Sequence, residues 1–327
     1  MLLNVIYFLA GLFLIIKGAD WLTDGASSIA RRFNVPSLII GLTIVAFGTS
    51  APELVVSVIS SIEGKSDLAI GNVVGSNMFN TLAIAGLTAL IYPIKCHKST
   101  INVDLPVCIF ASVLLLLMVS DTYIWGNQDV ISRLDSFILL IIFIVFIIYL
   151  IKSSQSQKSK TLESNISEDK SSIEEMSIIK AVLLFIIGLG CLIFGGDRFV
   201  DGASGIALGL GISQSTIALT IVAAGTSFPE LVTSIIAARK GDTDMALGNI
   251  IGSNIFNILM ILGISGIISP LSLGSVNHLN MILLVVSSVM MFIFGKFGKK
   301  HHYITRSEGI FLTILAICYY IYIVMFS

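Results

Sequence analysis

Charged residues are scarce in this sequence. Asp, Glu, Lys and Arg make up 12% of its 327 residues, and the formal net charge at pH 7 is −1. A soluble domain carries about 25% charged residues, and proteins that bind nucleic acid carry a basic excess. Neither class fits this composition, and no nucleic-acid partner is predicted.

Motifs of enzymes and of ATP-driven pumps are also missing. The sequence contains neither HExxH nor the phosphate-binding pattern GxxxxGK[ST], and Gly48-Thr49-Ser50 lacks the second glycine of a nucleophile elbow. The four cysteines are scattered singly, which predicts neither a metal site nor a disulfide framework. The first apolar run has no preceding positive charge, so a cleaved signal peptide is not expected. These absences argue against an enzyme, and no cofactor is predicted.

Apolar residues dominate instead. They make up 55% of the chain, and the mean hydropathy of +0.97 is typical of an integral membrane protein. An apolar run of about 20 residues crosses a hydrocarbon core of about 30 Å as a helix. We therefore predict an all-α membrane protein with ten transmembrane helices at 2–23, 37–61, 68–92, 103–120, 134–151, 177–200, 214–238, 245–269, 279–295 and 308–326.

A polar segment divides these helices into two sets of five. Residues 152–176 are rich in Ser, Lys and Glu and are predicted to link a first half, 1–151, to a second half, 177–327. Because five is an odd number, the second half must enter the membrane in the opposite orientation. The two halves are therefore predicted to form an inverted repeat.

The repeat is visible in the residues themselves. Residues 41–80 align without a gap to residues 218–257, at an offset of 177 (218 minus 41), and 24 of the 40 positions are identical. The match extends upstream, where Asp20 aligns with Asp197 near a predicted helix end. Those outer carboxylates are expected to be solvated or to cap helices, whereas the duplicated 40 residues carry the candidate site.

Basic residues set the predicted orientation. Most lie in loops after helices 1, 3, 5, 7 and 9, whereas the loops on the opposite side hold only Lys65 and Arg133. Positively charged loops stay in the cytoplasm. We expect both termini to lie outside the plasma membrane and the 152–176 linker to be cytoplasmic.

The duplicated segment carries GTSAPE in the first half and GTSFPE in the second. Thr49, Ser50 and Glu53 are three or four residues apart, so they share one face of a helix. Pro52 removes an amide donor and clashes with the carbonyl of Gly48, and broken backbone at membrane depth is tolerated only beside a cavity or inside protein. Freed carbonyls, hydroxyls and a carboxylate predict a site for a hard cation such as Ca²⁺ or Na⁺.

A polar stripe supplies the other wall of this site. Asn72, Ser76 and Asn80 recur every four residues along the third predicted helix. The matching stripe on the eighth helix consists of Asn249, Ser253 and Asn257. Amide and hydroxyl oxygens are expected to act as neutral ligands.

Two carboxylates explain why the protein would exchange ions. Glu53 and Glu230 are expected to meet near the bilayer midplane, where two negative charges balance one Ca²⁺. An empty site with two buried charges is costly, so it should hold Ca²⁺, Na⁺ or protons. If the halves move only when the site is filled, calcium crossing one way must be traded for another cation.

These motifs resemble a known family. GTSAPE with GNVVGSNMFN, and GTSFPE with GNIIGSNIFN, are similar to the paired α-repeats of the calcium/cation antiporter superfamily, specifically its bacterial and archaeal sodium/calcium exchanger-like members. The resemblance covers essentially the whole chain and implies that Glu53 and Glu230 are the central calcium ligands. The other residues that it implies are Thr49, Ser50, Thr226 and Ser227 for calcium and sodium, Ser76 and Ser253 for flanking sodium sites, and Asn80 and Asn257 to complete the centre.

One position departs from part of this family. The position of Asn257 holds an aspartate in potassium-dependent relatives and in some prokaryotic exchangers. The amide found here argues against potassium dependence and leaves the sodium stoichiometry open. Relatives specialised for protons usually lack the GTS-x-PE sequence, which favours Na⁺ as the counter-ion. The linker is too short for the calcium-sensing domains of animal exchangers.

The sequence thus predicts an antiporter that moves Ca²⁺ against Na⁺. One copy of the chain holds a complete site, and its partners are the lipid bilayer and inorganic cations. The nearest alternative is a Ca²⁺/H⁺ exchanger whose glutamates carry protons. A passive cation channel is an alternative of another class, although a channel more often surrounds its pore with identical subunits.

Overall fold

The computed structural model describes residues 1–120, 129–164, 176–211, 223–274 and 276–326, and within these ranges the chain is helical apart from four strands of two residues each. A single helical turn, Ala223–Gly225, precedes the eighth helix. The helices in chain order are α1 (Leu2–Phe33), α2 (Ser37–Thr49), α3 (Ala51–Ile62), α4 (Ser66–Ile91), α5 (Thr100–Met118), α6 (Arg133–Ser164), α7 (Ile178–Gly209), α8 (Phe228–Arg239), α9 (Thr243–Ile268), α10 (His278–Phe297) and α11 (Arg306–Phe326).

The prediction of a helical membrane protein is confirmed. Eight helices in the described ranges are long and apolar enough to cross a membrane, and the bent pair α2 and α3 adds a ninth span. The seventh predicted span, 214–238, falls partly on residues 212–222, outside the described residues. The predicted linker is helical as far as Ser164, and its residues 165–175 also lie outside them.

Two short antiparallel ribbons were not predicted by an all-α interpretation. Strand β1 (Ile94–Lys95) pairs with β4 (Tyr303–Ile304), and β2 (Val130–Ile131) pairs with β3 (Leu271–Ser272). Each ribbon joins a loop of the first half to a loop of the second. Two residues are too few to give an alternating pattern, so the sequence carries no strand signal there.

Helix bounds repeat at the offset found in the sequence. α3 and α8 begin at Ala51 and Phe228, and α4 and α9 begin at Ser66 and Thr243; both differences are 177. α4 and α9 each contain a π-helical turn, at Phe79–Ile84 and Phe256–Ile261, again 177 residues apart. These two helices are the most buried of the spans, so the repeated polar stripes lie at the centre of the protein.

Glycines bring α1 and α7 into backbone contact. Gly11 lies against Phe199, whereas Gly25 lies against Phe185, so the two helices run antiparallel. The glycines recur every seven residues on both helices, at Gly11, Gly18 and Gly25 and at Gly188, Gly195 and Gly202. Small residues at such a seam let helices approach closely in lipid.

Replacing one of these glycines should separate the helices. A Cβ at Gly188 would lie 2.5 Å from the main-chain nitrogen of Leu22 and 2.6 Å from the carbonyl oxygen of Gly18. We expect Gly188→Ala to cost about 1–3 kcal/mol of stability, measured as a lower unfolding temperature in detergent. Gly190→Ala is the matched control, because nothing lies within 4 Å of its added Cβ. Equal unfolding temperatures for the two variants would contradict this packing.

Candidate functional site

Each glutamate lies at the start of a helix. α2 and α3 meet at an angle of 47° at Ser50, and Glu53 lies in the first turn of α3, beside Pro52. Glu230 occupies the same position in α8, beside Pro229. The break that the proline pattern predicts is therefore present in the first half, and the N-terminal ends of both helices favour nearby negative charge.

Both carboxylates are buried and are bound by serines from the opposite half. Glu53 is 0% exposed and Glu230 is 1% exposed. Ser50 Oγ donates to Glu230 Oε1 over 2.9 Å, and Ser227 Oγ donates to Glu53 Oε1 over 3.0 Å. These crossed hydrogen bonds join the start of α3 to the start of α8, so the two duplicated motifs lie in contact.

The stripe on α4 and α9 contributes in two ways. Ser76 Oγ lies 3.4 Å from Glu53 Oε1, within hydrogen-bond reach. Asn72 Nδ2 donates to the main-chain oxygen of Glu53 over 3.2 Å, and Asn249 Nδ2 donates to that of Glu230 over 3.3 Å. The two asparagines brace the backbone that carries the glutamates.

Asn249 differs from its sequence interpretation as a neutral ligand. Its Oδ1 accepts a hydrogen bond from Thr49 Oγ1 over 3.1 Å, and its Nδ2 also donates to Ser234 Oγ over 3.0 Å. Both ends of this amide are engaged by protein. Asn249 therefore braces α8 and contacts Thr49, and its oxygen is not among the buried oxygens without a partner.

Asn80 and Asn257 lie in the π-helical turns, and their amides are held by two further asparagines. Asn257 Nδ2 donates to Asn77 Oδ1 over 2.9 Å, and Asn80 Nδ2 donates to Asn254 Oδ1 over 3.1 Å. Each nitrogen is thereby used. The oxygens of Asn80 and Asn257 are left buried without a hydrogen-bond donor, and π-helical turns are often found at functional sites.

Several buried side-chain oxygens of the predicted site have no hydrogen-bond partner. A buried oxygen without a donor is uncommon and points to an ion or water that it binds. The donor set consists of carboxylate, amide and hydroxyl oxygens, which suits Na⁺ or Ca²⁺. The unpartnered atoms are Glu53 Oε2, Glu230 Oε2, Asn80 Oδ1, Asn257 Oδ1, Thr226 Oγ1 and Ser253 Oγ.

The described part of the chain holds no group of three or more His, Cys, Asp or Glu side chains that could bind a metal. A transition-metal site of that kind is therefore not found among these residues. A cation at this centre would depend on two carboxylates and on neutral oxygens.

One side of the site is more open than the other. A cleft of about 360 Å³ reaches Thr226 and Pro229 from the side of α7, where Asp197 and Asp201 line it. Thr226 is half-buried, whereas its equivalent Thr49 is 0% exposed. The other predicted site residues, which are Ser50, Ser76, Asn80, Ser227, Ser253 and Asn257, are buried like the glutamates.

The sequence interpretation missed four polar residues around the site. Asn77 and Asn254 hold the two amides, and Ser57 and Ser234 accept hydrogen bonds from the bracing asparagines. All four are buried. Each pair repeats at the offset of 177, and this repetition is the sequence pattern that identifies them. They lie outside the stripe of polar residues that recurs every four positions.

A bundle of membrane-spanning helices with two buried carboxylates in its interior defines the class of multi-pass membrane transport proteins. Comparison with known proteins gives the family. A family model described as sodium/calcium exchanger protein matches residues 3–152 and 180–326, and the chain belongs to this family. Its members are exchangers and not enzymes.

Relatives and a solved structure cover nearly the whole chain. The sodium/calcium exchanger MaX1 of Methanosarcina acetivorans is 30% identical over 342 residues, with 97% of each chain covered. The inner membrane protein YrbG of Escherichia coli is 36% identical over 271 residues, which cover 83% of this chain and 81% of that protein. A structure of the sodium-calcium exchanger NCX_Mj, soaked with 2.5 mM Na⁺ and 0.1 mM Ca²⁺, superposes with a TM-score of 0.82 and 33% identity, covering 100% of this chain and 99% of that one.

Proposed function

We propose that this protein is a secondary active antiporter that exchanges Ca²⁺ for Na⁺ at a site centred on Glu53 and Glu230. The observation that carries the proposal is the pair of buried glutamates, each with one oxygen bound by a serine of the other half and one oxygen without a donor. Two such carboxylates match the charge of one Ca²⁺. Membership of the sodium/calcium exchanger family supports the choice of ions.

Calcium and sodium would share this centre. Ser50 and Ser227 already contact the glutamates, and Asn80 and Asn257 present unpartnered oxygens. The remaining ligands that we propose are the side-chain or main-chain oxygens of Thr49 and Thr226, with Ser76 and Ser253 at flanking sodium positions. One chain supplies all of these groups, so a monomer would be sufficient.

Electrostatics gives the reason for coupled exchange. Two ionised carboxylates in a buried site repel each other, so the empty site is disfavoured and movement between states requires bound cations. A cleft reaches Thr226 from one side while Thr49 is sealed. This asymmetry supports alternating access, with the described conformation open on one side.

The membrane topology follows from the same reasoning. We infer ten spans in two inverted halves, supported by the antiparallel contact of α1 with α7 and by helix bounds that repeat at a fixed offset. The basic loops support a cytoplasmic linker and termini outside the plasma membrane. The cleft beside Asp197 and Asp201 then opens to the outside.

The test is ⁴⁵Ca²⁺ uptake by proteoliposomes, with an outward Na⁺ gradient or an outward H⁺ gradient at matched membrane potential. Uptake driven by Na⁺ alone is expected. Uptake driven by H⁺ alone would mean that the counter-ion is H⁺ and not Na⁺, and it would leave the assignment of the site unchanged. Uptake that ignores both gradients would contradict antiport and favour a channel.

A further inference from the structure

The first inference concerns Asn77, which is fully buried in α4 beside the centre of the site. Its Nδ2 donates to the main-chain oxygen of Asn254 over 3.2 Å, and its Oδ1 accepts from Asn257 Nδ2 over 2.9 Å. A main-chain carbonyl can only accept a hydrogen bond. The nitrogen of Asn77 must therefore face Asn254, and its oxygen must face Asn257.

This fixed orientation determines what Asn257 presents. Asn257 has to turn its own Nδ2 toward Asn77, so its Oδ1 becomes the free end of the amide. Cations bind amide oxygens and are repelled by N–H groups. A reversed Asn257 amide would present a donor where the site needs an acceptor.

The other half of the repeat lacks this constraint. Asn80 Nδ2 donates to Asn254 Oδ1, and the Nδ2 of Asn254 has no main-chain acceptor, since this side chain faces the Cys108 thiol. A thiol can donate or accept a weak hydrogen bond, so it does not fix which end of the Asn254 amide faces Asn80, and the two amides can turn together. Of the two equivalent amides, only Asn257 has its orientation set by a main-chain group.

We propose that Asn77 is a positioning residue of the exchange site, which holds Asn257 so that its oxygen and not its nitrogen is available to the cation. The proposal rests on the proposed function. It makes Asn77 a determinant of cation affinity without direct contact with the ion.

The test is a double-mutant cycle in the uptake assay. Asn77→Leu should raise the half-saturating Ca²⁺ concentration roughly tenfold and change the maximal rate little, because Asn257 is then free to turn. In an Asn257→Asp background both ends of the side chain are oxygens, and one of them faces the fixed oxygen of Asn77 without a donor between them, so Asn77→Leu should not raise the half-saturating concentration further. Asn77→Ser, which also removes both hydrogen bonds, is measured in both backgrounds to separate this effect from loss of folding.

Three results would overturn this role of Asn77. The first is an unchanged half-saturating concentration in Asn77→Leu and Asn77→Ser, and the second is the same loss in both backgrounds. The third is absence of transport in the double variant of Asn77→Leu with Asn257→Asp, since that would mean a second oxygen cannot replace the amide. The unmodified protein is assayed in the same experiment. If it shows no Na⁺-driven uptake, the proposed function fails rather than the role of Asn77.

The side of the protein beside α1, opposite the cleft, is closed. Lys240, at the end of α8, lies 2.6 Å from Asp20 Oδ1 and 2.7 Å from Asp24 Oδ1. Asp242 in the same loop accepts a hydrogen bond from Ser27 over 3.1 Å. These contacts tie the loop between α8 and α9 to α1, where the sequence analysis expected solvated or capping carboxylates.

The equivalent positions of the other half are arranged differently. Asp197 and Asp201, which are 177 residues after Asp20 and Asp24, line the open cleft. The equivalent of Lys240 is Glu63, which accepts a hydrogen bond from Lys65 over 2.8 Å and thereby raises the pKa of that lysine. Asp201 pairs with Arg198 on its own helix, 3.3 Å away. The ion pairs between α1 and the loop after α8 thus have no counterpart between the equivalent residues on the open side.

We infer that Lys240, Asp20 and Asp24 form a latch that keeps the α1 side closed while the α7 side is open. This inference rests on alternating access but not on the identity of the counter-ion. Two equivalent residues report on the two sides, because Val200 lines the cleft whereas Thr23 is 1% exposed.

Cysteine labelling tests the latch. Val200→Cys should react quickly with a maleimide, and Thr23→Cys should react slowly. Lys240→Met should raise the labelling rate at Thr23→Cys about tenfold, which corresponds to a shift of about 1.4 kcal/mol between the closed and open states of the α1 side. Lys65→Met is the control and should leave that rate unchanged. Asp24→Asn, which removes one of the two partners, should give an intermediate rate. An unchanged rate at Thr23→Cys in Lys240→Met and Asp24→Asn would overturn the latch, and slow labelling of Val200→Cys would instead contradict the open side.

Discussion

Glu53→Gln and Glu230→Gln should each reduce Na⁺-driven ⁴⁵Ca²⁺ uptake to the level of vesicles without protein. Each substitution removes one of two negative charges from a buried site while the shape of the side chain is retained. Two unit charges 4 Å apart interact by about 4 kcal/mol at an effective dielectric constant of about 20, which is roughly a thousandfold in a binding constant. The result is a site that no longer balances Ca²⁺.

Folding should survive these substitutions. Glutamine keeps an oxygen that can accept the hydrogen bond from Ser227 or Ser50, and a neutral amide is less costly to bury than a carboxylate. Unfolding temperatures at or above that of the unmodified protein are therefore expected. Glu63→Gln, at an exposed position after α3, is the matched control and should transport normally. Near-normal uptake by either site variant would refute the assignment of the glutamates.

Asn249→Leu should destabilise the protein more than the equivalent change Asn72→Leu. Leucine has a similar volume, but it leaves the main-chain oxygen of Glu230 and the hydroxyl of Ser234 without the donor that Asn249 provides. Each unsatisfied buried group costs about 1–3 kcal/mol. Asn249 is 0% exposed, whereas Asn72 is half-buried. Water can therefore replace some of the hydrogen bonds that Asn72→Leu removes, but not those that Asn249→Leu removes.

Thermal unfolding in detergent measures this difference. We expect the unfolding temperature to fall strongly in Asn249→Leu and less in Asn72→Leu. Asn249→Asp keeps an acceptor for Thr49, so its unfolding temperature should lie between those of Asn249→Leu and the unmodified protein. A larger drop for Asn72→Leu would contradict the bracing role that the hydrogen bonds assign to Asn249.

The positions of the membrane helices and the break before Glu53 were predictable because both depend on local sequence. Runs of apolar residues give the spans, and Pro52 marks the bend at Ser50. The end of α1 was not predictable in this way. Residues 24–33 are too polar to continue an apolar run, yet α1 extends to Phe33, and Asp24 and Ser27 in this part contact the loop after α8.

The pairing inside the site could be predicted only in outline. A duplicated glutamate implied that two carboxylates meet, but no sequence rule shows that each receives its serine from the other half. Asn249 and Asn257 belong to one stripe and differ in their contacts, because the oxygen of the first contacts Thr49 whereas the oxygen of the second has no partner. The contacts that make this difference, Thr49 with Asn249 and Asn77 with Asn257, join residues 200 and 180 positions apart.

Equilibrium ⁴⁵Ca²⁺ binding to the purified protein, measured at increasing Na⁺ concentration, tests most directly whether one site serves both ions. We predict that Na⁺ displaces the bound Ca²⁺ completely and that Glu53→Gln binds no Ca²⁺ under the same conditions. Calcium that stays bound to the unmodified protein at saturating Na⁺, or that binds equally well to Glu53→Gln, would contradict a shared two-glutamate exchange site.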